Sequence, residues 1–430
     1  MSFSKIMKTN EIIRNSFEDR FCDDLSEVIL QFLPLKDKFR FECVSKQFQR
    51  TVFQKEYHLD LSQILFQMRN LSINQKKEVL ETLLKKLVNI RSFRSLYLLN
   101  DSDIDLMVKY CNNLMKINVI LSQISETKRK AFVDKFGSKL ISICYLERDL
   151  QWIQNSFPQI QELITPLCLP DGYEIRYLAD LRLKNLKKVK CHLFANELSS
   201  NQVVKQFQQF VENHKSLTHL TINLNISDED IFELLFNILE LNQLTCLHIG
   251  VLTRNYPVPD IQFELENDIK LMAVYCPYLK SLSIHILIYS SIEISIINEL
   301  IRLPKLKRIS LKPIAVDKTI TSAKLFDGLQ SLTHLELSVD RWGVYFQSQL
   351  LKNIHMFLPK LQRLEIIDSP IKVTEKTADT LSRLSRLESL RLIVDKKTIR
   401  DLIEKKVKEN CKKLKSIEII ADYYNFAYFQ

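Results

Sequence analysis

Hydrophobic positions along this chain recur as Leu-x-x-Leu-x-Leu, with Ile standing in for Leu, and about 27 residues separate most copies. The pattern reads at Leu217-Leu220-Ile222, Leu244-Leu247-Ile249, Leu279-Leu282-Ile284, Leu306-Ile309-Leu311, Leu332-Leu335-Leu337, Leu361-Leu364-Ile366, Leu387-Leu390-Leu392 and Leu414-Ile417-Ile419. The steps between first leucines are 27, 35, 27, 26, 29, 26 and 27. Weaker copies precede them at Phe93-Leu96-Leu98, Leu114-Ile117-Val119, Leu140-Ile143-Tyr145, Ile160-Leu163 and Leu186-Val189-Cys191. A fixed period in this range marks a solenoid. Solenoids stack each repeat on its neighbours and offer an extended surface in place of a reaction pocket.

Within one unit, residues 214–242, the stretch Leu217 to Leu224 alternates apolar with polar and predicts a strand. Ser227 followed by Asp228, Glu229 and Asp230 predicts a helix start, with an N-cap and acid in the first turn. Ile231, Leu234, Leu235 and Ile238 then follow at helical spacing. The expected fold is an α/β solenoid, with parallel strands on a concave face and helices on a convex one.

The pattern changes upstream. Leu25, Val28, Ile29, Phe32 and Leu33 make one helical stripe, which Pro34 ends. A second helix opens at Lys36 and Asp37 and carries Phe39, Phe41 and Val44; a third apolar set is Phe48, Val52 and Phe53. Three such helices hold too little core to stand alone, so the segment is expected to lean on a partner. YHLDLS, residues 57–62, reads as a first strand. Residues 62–90 read as two helices broken near Asn70 to Asn74, the second amphipathic through Val79, Leu83, Leu84 and Leu87.

Composition narrows the function classes. With only 5 glycines in 430 residues and no GxGxxG or GxxxxGKS, phosphate-cradling loops are excluded. The longest apolar run, residues 281–297, is broken by His285, Ser290, Ser291 and Glu293, so no transmembrane helix is expected. Without a secretory leader pattern, a cytoplasmic or nuclear chain with its 9 cysteines as thiols is expected. The net charge of +10 has two readings: a nucleic-acid surface, or lysines spread over solvated helices and turns. The clusters at residues 183–190 and 405–410 lack interleaved aromatics, which favours the second.

Little in the chain carries catalysis. Of the 8 histidines, His219 and His334 occupy the same THL slot of the repeat, which makes them members of the pattern. DSDID, residues 101–105, fails as a calcium loop because Leu106 and Asn112 stand where Gly and Glu are needed, so it reads as a capped helix start. With no CxxC pair, no HExxH and no GxSxG, no metal, cofactor or catalytic residue is assigned. The aromatic tail, residues 422–430, reads as a cap on the last repeat.

From about residue 91 to 430 the pattern resembles the leucine-rich repeat family. Cys111, Cys276 and Cys411, each three residues before a repeat leucine, resemble its cysteine-containing subclass, in which the thiol is a small buried group. The family's Asn or Cys at the eighth position appears here only as Asn225; the later copies carry Leu252, Leu287, Ile314, Asp340, Ser369, Asp395 and Asp422, so looser turns are expected in the middle. The run Phe32 to Arg50, FLPLKDKFRFECVSKQFQR, resembles an F-box without a gap, although Phe21-Cys22 replaces the opening Leu-Pro and Phe48 the usual Trp. The chain therefore divides into an extension (1–20), an F-box (21–56), a first strand and helical connection (57–90) and the solenoid (91–430).

That pairing implies a substrate receptor of a cullin-based, SCF-type ubiquitin ligase, which catalyses nothing itself. By resemblance, Leu25, Val28, Leu30, Leu33, Pro34, Phe41, Val44 and Phe48 would meet a Skp-type adaptor, with Asp37 and Arg40 at the rim. The residues between the repeat leucines would face a target protein: Thr221, Asn223, His248, Ser283, His285, Ser310, Lys312, Glu336, Ser338, Glu365, Arg391 and Glu418. Two alternatives stay open, a protein-interaction scaffold outside ubiquitin chemistry and a basic nucleic-acid-binding solenoid.

Overall fold

The computed structural model describes residues 28, 33, 35–42, 53–61, 72–95, 99–121, 124–144, 149–164, 176–194, 200–225, 228–252, 261–287, 292–315, 323–339, 348–371, 373–394 and 397–421. The chain forms two compact units, Met1–Leu169 and Pro170–Gln430.

In the first unit, helix α1 (Leu35–Phe41) precedes strand β1 (His58–Asp60), inside the segment expected to be a strand. Helix α2 (Ile73–Lys86) follows, started by a capping box in which the Ser72 hydroxyl accepts from the Gln75 N–H and the Gln75 side chain accepts from the Ser72 N–H. Three more strand–helix steps and a last strand give β2 (Ser92–Arg94), α3 (Asp101–Tyr110), β3 (Lys116–Asn118), α4 (Glu126–Phe136), β4 (Ser142–Cys144), α5 (Leu150–Ser156) and β5 (Glu162–Ile164). All five strands are parallel and pair in chain order. DSDID opens α3, where the Asn100 side chain accepts from the N–H groups of Ser102 and Asp103. Phenylalanine fills this core: Phe93, Phe132, Phe136 and Phe157 are fully buried.

The second of the predicted N-terminal helices, α1, packs against its own chain. The Phe39 ring lies 4.7 Å from Phe53, and the Lys86 ammonium at the end of α2 stands 5.4 Å from the first ring and 5.7 Å from the second. Lys86 also pairs with Glu42, and Lys38 pairs with Glu56. One lysine thus ties three aromatic and acidic groups of residues 39–53 to the first helix of the repeats. Lys86→Met keeps the apolar stem and removes the charge. We expect it to loosen this docking by about 1–2 kcal/mol, seen as faster amide exchange in residues 35–42 while β2 to β5 keep their protection.

In the second unit, helix α6 (Arg176–Ala179) leads to strand β6 (Lys188–Phe194), and then α7 (Ser200–Asn213), β7 (His219–Asn225), α8 (Asp228–Ile238), β8 (Cys246–Leu252), α9 (Ile261–Tyr275) and β9 (Ser281–Leu287) alternate. A two-residue strand, β10 (Ile292–Glu293), pairs beside β11 (Arg308–Ala315). Helix α10 (Ile297–Leu300) lies between them. Beyond it come β12 (His334–Val339), α11 (Ile354–Phe357), β13 (Arg363–Ile371), α12 (Glu375–Ser382), β14 (Ser389–Val394), α13 (Lys397–Asn410) and β15 (Ser416–Ala421). The sheet is parallel, in the order β6-β7-β8-β9-β11-β12-β13-β14-β15. It is a leucine-rich-repeat solenoid in its bonding as well as its spacing. At each repeat one carbonyl ahead of the strand accepts two N–H groups of the next: Lys187 O from Thr218 and His219, Thr218 O from Thr245 and Cys246, Thr245 O from Lys280 and Ser281.

Among the described residues of the middle repeats, the long predicted helix is absent. There the described return path is the 3-10 turn Ile294–Ile296 running into α10, the 3-10 turns Ala323–Phe326 and Ser348–Leu351, and α11, all short pieces of about one turn. Buried Ala323, Phe326, Leu350 and Ile354 still cover the leucines, so the layer is kept with less helix. Where Ile314 and Ser369 replace the turn-bonding Asn, the strand runs on: β11 and β13 extend to Ala315 and Ile371, with register shifts between Leu311 and Ile314 and between Ile366 and Ile371.

Candidate functional site

Along each strand of the second unit the repeat residues alternate between two faces. Leu220, Ile222 and Leu224 are fully buried, whereas His219, Thr221 and Asn223 between them are half-exposed. The pairing register then lines up equivalent residues of successive strands. Thr221, His248, Ser283, Ser310, Glu336, Glu365, Arg391 and Glu418 fall in one row across eight strands. Asn223, His285 and Lys312 fall in the adjacent row, with Gly250 between the first two. The positions chosen from the sequence therefore share one face. Ser338 is buried, one position from the end of β12.

Most of these side chains are bonded to one another. The Lys312 ammonium pairs with Glu336. The Ser310 hydroxyl donates to Glu336 Oε2 at 2.8 Å, and His285 Nε2 lies 3.0 Å from both Ser310 Oγ and Ser283 Oγ. Ser283 Oγ in turn lies 2.8 Å from His248 Nδ1, and the two imidazole rings meet edge to face with centroids 4.6 Å apart. Further along, Glu365 is nearly buried and pairs with Arg363, and Arg391 pairs with Glu418 at 3.0 Å without hydrogen-bond geometry.

Charge in this row is largely cancelled. Burial lowers the pKa of His248, helped by Lys190 and Lys312. Burial, the neighbouring His248 and Lys312 together lower that of His285 to about 4. Burial acts to raise Glu336, but Lys312 and the Ser310 hydroxyl outweigh it and hold the carboxyl below its ordinary value. At neutral pH the row presents uncharged imidazoles and a neutralised ion pair. It is not a hydrolase triad, because the Glu336 carboxylate accepts the hydrogen bond of the Ser310 hydroxyl and orients no histidine.

The remaining chemistry is structural. His214 is buried, with Nδ1 bonded to the Phe210 carbonyl at 2.9 Å and Nε2 facing the Leu183 N–H at 3.5 Å. Burial pushes the Cys111 thiol up to about 12 and the Cys276 thiol to about 11, and it raises Cys411, so these thiols are inert. Among the described residues no group of three or more His, Cys, Asp or Glu is placed to hold a metal, and no helix is long and apolar enough to cross a membrane.

Five members of the face were missed in the sequence. His192 accepts from the Asn223 amide at 3.1 Å, and it occupies the Asn223 slot one repeat earlier, so repeat alignment alone would have found it. Gly250 holds that slot on β8, where a Cβ would fall 2.1 Å from Asn223 Oδ1. Arg308, His334 and Arg363 form a third row, two residues before the chosen one.

In the first unit, Val28 is exposed, Leu33 is half-buried, and Asp37 and Arg40 pair with each other at 3.2 Å. The backbone of Phe41 ends α1. Leu25, Leu30, Pro34, Val44 and Phe48 lie outside the described residues.

Residues 19–59 match the F-box domain family. The chain carries an F-box. Curated protein sequences yield no match to the chain. Similar solved structures include an internalin of Listeria monocytogenes (12% identity, 84% of this chain and 90% of the other, TM-score 0.34). The Rad7 and Elc1 complex of yeast is another (13%, 97% and 80%, TM-score 0.37), as is a Bacteroides fragilis protein (14%, 68% and 76%, TM-score 0.37). The F-box match spans α1 and β1, so the module ends in the first strand of the sheet.

Proposed function

We propose that this chain is a substrate receptor of a cullin-based, SCF-type ubiquitin ligase. Its F-box docks to a Skp-type adaptor, and the free strand face of the solenoid holds a target protein. The observation that carries the reading is an F-box at residues 19–59 fused to a leucine-rich-repeat solenoid whose strand face is lined by a row of mostly half-exposed polar side chains. The chain then works by holding the target's lysines near a loaded conjugating enzyme, an effect of concentration. Adaptor contact falls to Leu25, Val28, Leu30, Leu33, Pro34, Phe41, Val44 and Phe48, with Asp37 and Arg40 at the edge.

Val28 offers the cleanest test, since its side chain is 49% exposed. Val28→Asp places a charge in the docking surface and is expected to weaken adaptor binding by about tenfold or more, with the thermal midpoint unchanged. Calorimetric titration of the full chain with the adaptor measures this. Absence of adaptor binding by the unaltered chain would instead favour a scaffold outside ubiquitin chemistry.

A further inference from the structure

The protons of the polar row have one consistent placement. Ser310 gives its hydrogen to Glu336, so at the 3.0 Å contact His285 Nε2 must donate to Ser310. His285 therefore carries its proton on Nε2, and Nδ1 is left with a lone pair. Ser283 Oγ, facing that same Nε2–H, accepts from it and gives its own hydrogen to His248 Nδ1. His248 then carries its proton on Nε2. Neither His248 Nε2 nor His285 Nδ1 has a hydrogen-bond partner among the described residues, and neither is buried. The two rings, 4.6 Å apart, thus present one donor and one acceptor side by side.

A second acceptor stands next to them. Asn223 Nδ2 bonds His192 Nδ1 at 3.1 Å, which turns Oδ1 over the backbone of Gly250. Gly250 lies in register between Asn223 and His285, so its missing side chain lets that oxygen lean over the strand that carries His248, on the side towards His285.

We propose that His248, His285 and Asn223 form a binding site for the primary carboxamide of an Asn or Gln side chain on a bound polypeptide. The amide oxygen accepts from His248 Nε2–H, and its two N–H groups donate to His285 Nδ1 and Asn223 Oδ1. A carboxylate or phosphate brings acceptors only and faces the His285 lone pair. An ammonium brings donors only and faces the His248 N–H. A trans peptide group has its N–H and C=O on opposite sides and offers one of them per edge. A hydroxyl has a single proton and leaves one acceptor unmet. The proposal deepens the reading of this face as the target-binding surface and rests on it.

The test uses the full chain with ¹⁵N-labelled histidine and four probes: butyramide, sodium butyrate, N-methylacetamide and n-propanol. Butyramide is expected to move the His248 and His285 ring-nitrogen signals saturably, in the millimolar range, and the other three are not. Asn223→Ala is expected to weaken the butyramide response about fivefold, the worth of one hydrogen bond, without changing the tautomers. Equal or stronger shifts with butyrate or propanol overturn the proposal, as does a proton found on His285 Nδ1 at neutral pH or the absence of any saturable shift. Adaptor binding plays no part in this measurement, so the ligase reading and the carboxamide site fail independently.

Discussion

Phe132→Ala is expected to cost about 3–5 kcal/mol, a large share of the stability of an ordinary domain. Phe132 is fully buried and sits at the centre of an aromatic cluster, with its ring 4.8 Å from Phe136 and 6.2 Å from Phe157, whose far side meets Trp152 at 5.2 Å. Truncation removes the transfer energy of the ring, the contacts of both neighbours, and leaves a cavity that α4 cannot close. Its backbone is held at the other end by Arg129, which pairs with buried Asp149 at 2.9 Å and stacks over Trp152. A solenoid is a chain of nearest-neighbour interfaces, so the damage should be local. Amide exchange is expected to speed up in residues 126–164 first, with residues 217–421 keeping their protection, and guanidinium denaturation should show the loss in the first unit. A shift below about 1 kcal/mol, or uniform loss along the chain, would contradict this account of the core.

How much of this was legible depends on what filled each slot. In the second unit the repeat leucines located each long strand, though not the two-residue β10, because Leu217, Leu244 and their equivalents up to Leu387 are buried where the chain turns into the sheet, and Leu414 is half-buried there. In the first unit the strands are three residues long and Phe93, Phe132 and Phe157 do work that leucine does elsewhere, so the pattern fades while the fold persists. Helix presence was not readable from spacing. The 27-residue step ending at Leu414 contains the 14-residue α13, rich in Lys and Glu with a Glu404–Lys408 pair, while the 26-residue step ending at Leu332 holds Thr, Ser and Gly328 and shows a 3-10 turn as the one helical piece among its described residues. The strand-face residues were legible as a set, since alternation alone puts them on one side. Their bonding was not: His248, Ser283, Ser310 and Glu336 are 25 to 35 residues from their cross-strand partners, and only the register joins them. For the same reason the tie between Lys86 and Glu42, 44 residues apart, had no sequence signal.

Acidification should destabilise this protein well before its carboxylates titrate. Burial holds His192, His214, His248 and His285 below the ordinary value of 6.5, His285 down to about 4. Between those limits the unfolded chain binds more protons than the folded one, so stability is complete above about pH 6.5 and falls as pH drops towards 4, where the His285 share levels off. At full weight His285 alone would contribute about 3 kcal/mol, and about half of that after allowing for its partial exposure; the other three act in the same direction. The groups facing His285 sharpen the window: His248 and Lys312 oppose its protonation, Glu336 favours it, and Ser283 and Ser310 both occupy Nε2. Glu336, held below 4.5 by Lys312 and Ser310, adds its own loss only at lower pH. Urea denaturation at pH 7 and pH 5 should show the fall, and His285→Gln, which cannot charge, should flatten it. A stability that is level or rises between pH 7 and pH 5, or an unchanged slope in the variant, would show that these rings are already open to water. The proton that arrives must land on Nδ1, the acceptor of the carboxamide site, and turn it into a donor. Butyramide binding should therefore weaken in step with stability over this range, whereas a site built for anions would tighten.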